Sequence, residues 1–122
     1  MNESYEYYYN KYGVGWYFFD GGGFYVYQKY VEFYDMNDNT HRLDGPATIY
    51  SNGALSWSKN NGYHRLDGPA TIDSEGKTKW WINGNDITTN IKSWANDQDI
   101  DLNNLSDDDK VLIKLTWGDY DG

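Results

Sequence analysis

Two histidines each stand three residues before an aspartate, a spacing that could serve acid–base chemistry or metal binding. The pairs are His41 with Asp44 and His64 with Asp67. Both belong to the same nine-residue segment, HRLDGPATI, which occurs twice without change at a spacing of 23 residues. An active site rarely needs two identical copies on neighbouring turns. We therefore interpret the histidines as structural residues that bridge adjacent turns.

The arginine that follows each histidine is the expected partner of the aspartate in the same segment. Arg42 would bind Asp44, and Arg65 would bind Asp67, through charge-assisted hydrogen bonds. The chain has no cysteine, which excludes thiolate catalysis, disulfides and cysteine-based zinc sites. Because it also has no isolated histidine and no recognised catalytic motif, we expect no enzyme activity and no cofactor.

An aspartate series near the C terminus partly matches the ligand spacing of a calcium loop. Asp97, Asp99 and Asp101 alternate along the chain, and Asp108 follows seven residues after the last of them. Leu102, however, occupies the position where a calcium loop needs glycine, and Asp108 replaces the bidentate glutamate. We therefore expect no metal site.

The chain is strongly acidic, with 19 acids against 10 bases and a net charge of −9. Residues 95–122 carry eight acids and two bases, so two thirds of the excess lies at this end. Such a balance argues against direct binding to nucleic-acid phosphates. It predicts that acids near the C terminus contribute to partner binding, or that the surface mimics a nucleic acid. The candidate acids are Asp107, Asp108, Asp109, Asp119 and Asp121.

The repeated segment predicts a β-hairpin. Leu-Asp-Gly-Pro is a turn sequence, and the following ATIY, SNG and ALSWS are typical of a strand, a tight turn and a strand. In the first copy one parity holds Ala47, Ile49, Leu55 and Trp57, and the other holds Thr48, Ser56 and Ser58. This alternation predicts a sheet with one buried face and one wet face. Since Trp80 lies one period after Trp57, the two rings are expected to fill equivalent buried sites.

A degenerate copy of the unit precedes the two identical ones. Val26 lies one period before Ile49, and Tyr34 lies one period before Trp57. Solenoid-type repeats usually need several stacked units for stability. We therefore expect about three hairpins, and hence about six strands, over residues 16–82.

The N-terminal segment lacks a clear period. Residues 1–12 could be a frayed lead-in or an edge strand. The alternation of Tyr5, Tyr7 and Tyr9 favours the edge strand.

After residue 86 the hydrophobic period changes to that of a helix. Thr88 or Thr89 can cap a first helix, and Ser106 followed by three aspartates is a strong start for a second. The expected apolar stripe of the second helix is Val111, Leu112, Leu115 and Trp117. Both helices are expected to cover the apolar face of the sheet.

These patterns predict an α+β, mainly β fold: an antiparallel β-hairpin repeat meander of about six strands, followed by two C-terminal helices. We expect a single domain over residues 1–122. Its parts are aromatic-rich N-terminal strands at 1–40, two hairpin repeats at 41–86 and an acidic helical part at 87–122. No apolar run is long enough to span a bilayer and the start lacks a signal-peptide pattern, so we expect a cytoplasmic protein, or one carried in a particle, without a membrane partner.

The HRLDGPA core, the turn glycine and the closing tryptophan resemble the short HRxDGPA hairpin repeats found in many small phage proteins. The segment WWING at residues 80–84 is also similar to the end of MORN-type repeats. The resemblance covers residues 41–86 and implies a scaffold or binding surface rather than one kind of enzyme. It also implies that the protein acts in the cytoplasm of a host cell.

Five aromatic residues fall on the parity opposite the predicted core and would form an exposed strip. They are Tyr25, Tyr27, Phe33, Tyr50 and Trp81. Exposed strips of this kind usually mark a binding site, and tyrosine and tryptophan are frequent energetic anchors. The alternative is that the N-terminal tyrosine segment folds over them.

The strip and the acidic C terminus together predict a non-catalytic interaction protein. On the phage resemblance, it would bind and inhibit or redirect a host protein, such as a defence factor. A second hypothesis is a sponge that sequesters a nucleotide-like ligand between aromatic side chains. The aromatic N-terminal strands could also join copies of the chain into a homo-oligomer.

Overall fold

The computed structural model of this chain describes residues 4–120, and within them it contains three helices and eleven strands. The helices are α1 (Tyr5–Tyr12), α2 (Thr88–Asp97) and α3 (Asp107–Trp117). The strands are β1 (Gly15–Phe19), β2 (Gly22–Val26), β3 (Tyr30–Asp35), β4 (Thr48–Tyr50), β5 (Leu55–Ser56), β6 (Ser58–Lys59), β7 (Gly62–Tyr63), β8 (Thr71–Ile72), β9 (Thr78–Lys79), β10 (Trp81–Ile82) and β11 (Asn85–Asp86). The predicted α+β, mainly β class with two C-terminal helices is confirmed.

Seven of the described strands form one antiparallel sheet, in the order β1-β2-β3-β4-β5-β8-β9. The other described strands form two separate hairpins, β6 with β7 and β10 with β11. Residues 41–82, all of which the structure describes, contain no helix. The strands outnumber the six predicted because each identical repeat carries a second, smaller hairpin.

The smaller hairpins turn on residues with a left-handed backbone. The φ angles are 53° and 69° at Asn60 and Asn61, and 50° and 79° at Asn83 and Gly84. Two successive residues with positive φ are typical of a type I′ turn, where asparagine and glycine are favoured. The alternation of apolar residues does not reveal these hairpins because each of their strands is only two residues long.

The larger hairpin of each unit is closed by a backbone hydrogen bond across its turn. In the identical repeats the closing pairs, four residues apart, are Tyr50 with Ala54 and Asp73 with Lys77. In the degenerate unit the amide of Tyr27 donates to the carbonyl of Tyr30, only three residues away. When a turn is shorter by one residue, each residue of the following strand points to the opposite face of the sheet from the one that the repeat spacing predicts. Val26 therefore pairs with Val31, and both side chains point to the same face.

Phe33, rather than Tyr34, occupies the position of Trp57 in the degenerate unit. The amide of Phe33 donates to the carbonyl of Ala47, as the amide of Trp57 donates to that of Ala70. The predicted match between Tyr34 and Trp57 is therefore wrong by one residue. The shorter turn upstream accounts for this shift.

Residues 5–12 of the N-terminal segment form a helix, so the expectation of an edge strand there is wrong. The hydroxyl of Ser4 accepts a hydrogen bond from the amide of Tyr7 and caps α1. Tyr5 and Tyr8 are buried at helical spacing, whereas Tyr9 is exposed. The alternation of Tyr5, Tyr7 and Tyr9 suggests a strand. The run of three tyrosines at positions 7, 8 and 9 also fits a helix, in which one residue in every three or four faces the core.

Two hydrophobic clusters form the core of the described chain. The first contains Tyr5, Tyr8, Phe24, Val26, Val31, Phe33 and Ile49. The second contains Trp80, Ile82, Ile87, Ile91 and Ile113. Helix α1 thus covers β2 and β3, while α2 and α3 close over the last hairpin. The expectation that the C-terminal helices cover the apolar face of the sheet is corrected, because α1 takes that place.

The face predicted to be wet is partly buried. Thr48 is only 3% exposed, and Ser56 and Ser58 are buried as well. The hydroxyl of Thr48 donates a 2.9 Å hydrogen bond to Oε2 of Glu32, which faces it on the neighbouring strand. Small polar side chains of this kind can be buried when a partner on the same face satisfies them. Strict alternation therefore overstated the exposure of this face.

Helix α3 presents a different stripe to the core from the one predicted. Its buried residue is Ile113, and Trp117 is partly buried one turn later. Val111, Leu112 and Leu115 are exposed, so this expectation is wrong. The predicted stripe and the pair of Ile113 and Trp117 both have helical spacing. The contact with the second cluster decides that Ile113 is the residue buried. None of the helices within residues 4–120 is long and apolar enough to cross a membrane.

The expectation that Trp57 and Trp80 fill equivalent buried sites is wrong, because Trp80 is buried and Trp57 is only partly buried. The two tryptophans should therefore contribute differently to stability. Replacing Trp80 with alanine should lower the free energy of unfolding by about 3–5 kcal/mol, because truncation of a ring that is 2% exposed leaves a cavity. Trp57→Ala should cost only about 1–2 kcal/mol, because this ring is partly exposed and stacks on Arg65. Urea unfolding of both variants beside the wild type measures the difference. Equal losses would contradict it.

Candidate binding surfaces

Arg42 is held on three sides within the first HRLDGPATI segment. Its Nε donates to Oδ1 of Asp44 at 3.0 Å, and its Nη1 donates to the carbonyl of Pro46 at 3.1 Å. The guanidinium carbon lies 4.1 Å from the ring centroid of Phe33, which is within cation–π range. The predicted pair of Arg42 and Asp44 is present, and it fixes the turn to the strand before it.

Arg65 repeats this arrangement in the second segment. Its Nε donates to Oδ1 of Asp67 at 2.8 Å, its Nη1 donates to the carbonyl of Pro69 at 3.0 Å, and its guanidinium carbon lies 3.9 Å from the ring of Trp57. Burial alone would raise the pKa of Asp67, but the hydrogen bond and charge of Arg65 outweigh it and lower that pKa. A Cβ at Gly68 would lie 2.6 Å from the guanidinium carbon, so the space for Arg65 depends on glycine.

The histidines join each unit to the next, as predicted. The Nδ1 of His41 accepts a hydrogen bond from the amide of Asn60 at 3.3 Å, and the Nδ1 of His64 accepts one from the amide of Asn83 at 3.0 Å. Each histidine therefore binds the turn of the following small hairpin. Both rings act as acceptors in structural contacts, and this supports the interpretation that they serve the scaffold.

The series of histidines ends at Ile87. Its amide donates to the carbonyl of Trp80, the same contact that the amide of His64 makes with the carbonyl of Trp57. The side chain of Ile87 is fully buried in the second cluster. An aliphatic residue at this position ends the polar contacts between units and begins the packing of α2.

A continuous surface of aromatic rings lies on the face of the sheet opposite α1, and we call it the aromatic face. It consists of Trp16, Phe18, Tyr25, Tyr27, Tyr30, Tyr34 and Tyr50. Centroid separations along it range from 4.0 Å between Tyr25 and Tyr27 to 6.2 Å between Trp16 and Phe18. Such contacts hold the rings in a fixed arrangement.

The N-terminal tyrosine segment does not fold over this surface. Tyr8 contacts Phe24 and Phe33, which belong to the covered face of the sheet. Phe18 on the aromatic face is 80% exposed, and Trp16 is 49% exposed. Of the five residues predicted for the strip, Tyr25, Tyr27 and Tyr50 lie on it.

Phe33 and Trp81 do not belong to the aromatic face. Phe33 is buried opposite Phe24, because the shorter turn before β3 reverses its parity. Trp81 lies on β10 and contacts the ring of Tyr63 at 5.2 Å. The indole nitrogen of Trp81 is buried and has no hydrogen-bond partner among the described residues.

The centre of the aromatic face carries one carboxylate. Glu32 accepts hydrogen bonds from the hydroxyls of Tyr34 and Thr48. Burial and then the hydrogen bond with Glu32 raise the pKa of the Tyr34 phenol. The phenol therefore stays protonated and keeps Glu32 in place.

One end of the aromatic face contains a hollow of about 350 Å³. Its lining residues include Trp16, Phe18 and Tyr34 and three acidic residues, Asp20, Asp35 and Asp38. Hydrogen bonds from the backbone of the following turn, together with the carboxamide of Asn39, lower the pKa of Asp35. The hollow thus combines aromatic rings with negative charge, a combination that suits a cationic side chain.

The candidate acids near the C terminus lie elsewhere. Asp107 and Asp108 are exposed in the first turn of α3, and Asp109 closes a capping box with Ser106. Asp119 is exposed just after this helix, and Asp121 lies outside the described residues. Because α3 packs on the second cluster, no described contact joins these acids to the aromatic face. The described acids of α3 and the rings of the aromatic face therefore belong to different parts of the fold.

A second cavity, which we call the lysine groove, begins where the aromatic face ends. It measures about 810 Å³, and Tyr50, Tyr63, Lys77, Lys79 and Lys92 contribute to its walls. Burial, then the nearby Tyr63 and Glu32, raises the pKa of Tyr50. The sequence does not predict this groove because Lys92 comes from α2 and reaches the strands only in the folded chain. The alternation of Lys77 and Lys79 was the available signal.

Within residues 4–120, no group of three or more histidine, cysteine or acidic side chains is placed to hold a metal ion. Comparison with family models, with curated proteins and with solved structures found no match to this chain.

The contact between His64 and Asn83 should make stability depend on pH. Burial, and then the charge of Lys59, lowers the pKa of His64 in the folded protein. A lowered pKa means that this residue stabilises the fold fully above its unfolded pKa of about 6.5, and that its contribution is lost as the pH falls through the folded value. Urea unfolding near pH 7.5 and near pH 5.5 should show a larger loss for wild type than for His64→Gln. Parallel losses would contradict this.

Proposed function

We propose that this chain is a non-catalytic interaction protein that binds a partner protein through the aromatic face. The observation that carries the proposal is the exposure of Trp16 and Phe18 at the end of a surface of seven rings that no described helix covers. Tyrosine and tryptophan are the residues most often found as energetic anchors of interfaces. The motif resemblance extends the proposal to a phage-encoded protein that acts in the host cytoplasm and inhibits or redirects a defence-type protein.

The shape of the aromatic face favours a macromolecule over a small ligand. The rings from Trp16 to Tyr50 lie side by side across four strands instead of enclosing a cavity. Their mutual contacts restrict their rotamers before a partner arrives, so binding would lose less side-chain entropy. A flat, pre-ordered aromatic surface suits a folded or extended protein segment.

The charge of the aromatic face favours a basic partner. Glu32 lies at its centre, and Asp20, Asp35 and Asp38 line the hollow at its end. A lysine or arginine side chain of the partner would enter that hollow and contact both the rings and the carboxylates. The net charge of −9 would also speed association with such a partner. The acids of α3 would act through this long-range field rather than by contact.

A double variant, Trp16→Ala with Phe18→Ala, should abolish most of the binding. The matched control is Val111→Ala with Leu115→Ala, which also shortens two exposed apolar side chains but lies on α3. Proteins from a bacterial host lysate would be captured on wild type, identified and purified, and their kinetics measured by surface plasmon resonance at two salt concentrations. We expect at least about a 30-fold weaker Kd for the first variant and an unchanged Kd for the control. Association should slow at the higher salt.

Three results would overturn the proposal. The first is loss of binding in the α3 control with retention in the Trp16 and Phe18 variant. The second is an association rate that does not depend on salt concentration, which would contradict the inference that the partner is basic. The third is self-association of wild type that the Trp16 and Phe18 variant abolishes, because a second copy of the chain would then occupy the aromatic face. Circular dichroism of each variant verifies the fold.

A further inference from the structure

We propose that the lysine groove binds a nucleotide-like ligand, in which an aromatic base carries a phosphate group. This site adjoins the aromatic face at Tyr50, which belongs to both, but its lysines come from the β8–β9 hairpin and α2, and the proposal does not depend on the assignment of the aromatic face to a protein partner. Its volume of about 810 Å³ lies within the usual range of roughly 300–1,000 Å³ for small-molecule sites. Its walls combine the two chemical features that such a ligand needs.

The first feature is a local excess of positive charge in an acidic chain. Lys77 and Lys79 reach the groove from the second repeat, and Lys92 reaches it from α2. Asp73 is the only acid that the described lining contains. The lining therefore contains three lysines and one aspartate, although the whole chain has 19 acids and 10 bases.

The nearby carboxylates already have other partners. Oδ1 of Asp73 accepts hydrogen bonds of 2.9 Å from the amides of Glu75 and Lys77, and so holds the turn of the hairpin. Asp86 accepts from the amide and the hydroxyl of Thr88 at 3.0 and 2.6 Å, and those bonds lower its pKa more than the charge of Lys79 does. No ion pair within 4.0 Å involves the three lysines among the described residues. A phosphate would supply the missing negative charge.

The second feature is a gap in the series of aromatic contacts. The rings of Tyr30 and Tyr50 are 5.8 Å apart, and contacts resume with Tyr63 and Trp81 at 5.2 Å. Both Tyr50 and Tyr63 line the groove, yet no ring contact joins them within residues 4–120. A planar base can stack against these rings, and such stacking tolerates any base because each has a π-face.

The positions of the two features match the two parts of a nucleotide. The tyrosines belong to β4 and β7, whereas the lysines come from the β8–β9 hairpin and α2, and in the large sheet β5 lies between β4 and β8. A ligand that spans the groove would place its base toward the tyrosines and its phosphate toward the lysines. A free base or free inorganic phosphate would engage only one side.

Titration calorimetry with the four ribonucleoside monophosphates tests the proposal, with adenosine and inorganic phosphate as partial ligands. At least one monophosphate should bind with a Kd below about 1 mM, and each partial ligand should bind at least about tenfold more weakly. The triple variant Lys77→Gln, Lys79→Gln, Lys92→Gln should lose at least about tenfold in affinity. The control Lys11→Gln, Lys29→Gln, Lys110→Gln removes the same charge from other surfaces and should bind like wild type. Tyr63→Ala should lose affinity, and Tyr63→Phe should keep it.

Several outcomes would overturn the assignment. Absence of binding by every monophosphate at about 1 mM excludes a nucleotide. If inorganic phosphate binds as tightly as the monophosphates, the groove is an anion site that does not recognise a base. If adenosine binds as tightly as the monophosphates, the lysines do not contribute to binding. Equal losses in the two lysine variants show an effect of net charge alone. Because Trp16 and Phe18 do not line this groove, their double variant should keep nucleotide affinity, which separates a failure here from a failure of the protein-partner proposal.

Discussion

The fold depends on a guanidinium group that each identical repeat holds between an aromatic ring, a carboxylate and a backbone carbonyl. Arg42 and Arg65 each bind an aspartate and a proline carbonyl in their own turn, and each stacks on an aromatic ring of the preceding unit, Phe33 or Trp57. One side chain thus shapes the turn and attaches it to the unit before it. Most of the HRLDGPATI segment takes part in these contacts or in the strand that follows, which gives a physical reason for its two identical copies. The intervening turns, SNG and DSEG, bear no such constraint, and their sequences differ.

The units are also linked in the forward direction. His41 and His64 accept hydrogen bonds from the turns of the next small hairpins, so each unit contacts both of its neighbours. A series of units linked in this way needs a capping element at each end, because the terminal units lack one neighbour. Ile87 replaces the next histidine and leads into α2, while at the other end α1 packs on β2 and β3. The helices therefore cover the two ends of the repeat array rather than one whole face of the sheet.

Features that recur with the repeat could be predicted from the sequence, whereas the two-residue strands of the smaller hairpins, the N-terminal helix and features set by distant contacts could not. The larger hairpins, the pairs of arginine and aspartate, and the histidine contacts all lie within one period or between adjacent ones, so spacing alone indicates them. Phe33 was placed on the wrong face because a single missing residue in the turn before β3 reverses parity. Ile113 was overlooked because two helical stripes of similar spacing exist on α3, and the second cluster selects one. The lysine groove joins Lys92 to a hairpin that ends thirteen residues earlier, a pairing that no periodic pattern encodes.

The separation of the two hydrophobic clusters has a consequence for cooperativity. Among the described residues, the clusters have no member in common, and the inner positions between them are occupied by small residues such as Ala47 and Ala70. Repeat proteins are stabilised by contacts between neighbouring units, so distant units can open separately. Amide hydrogen exchange should accordingly divide the chain into two protected regions with different opening free energies. Separate opening of the two regions would appear as two transitions in thermal unfolding, whereas strong coupling between the units would give one transition and one melting temperature.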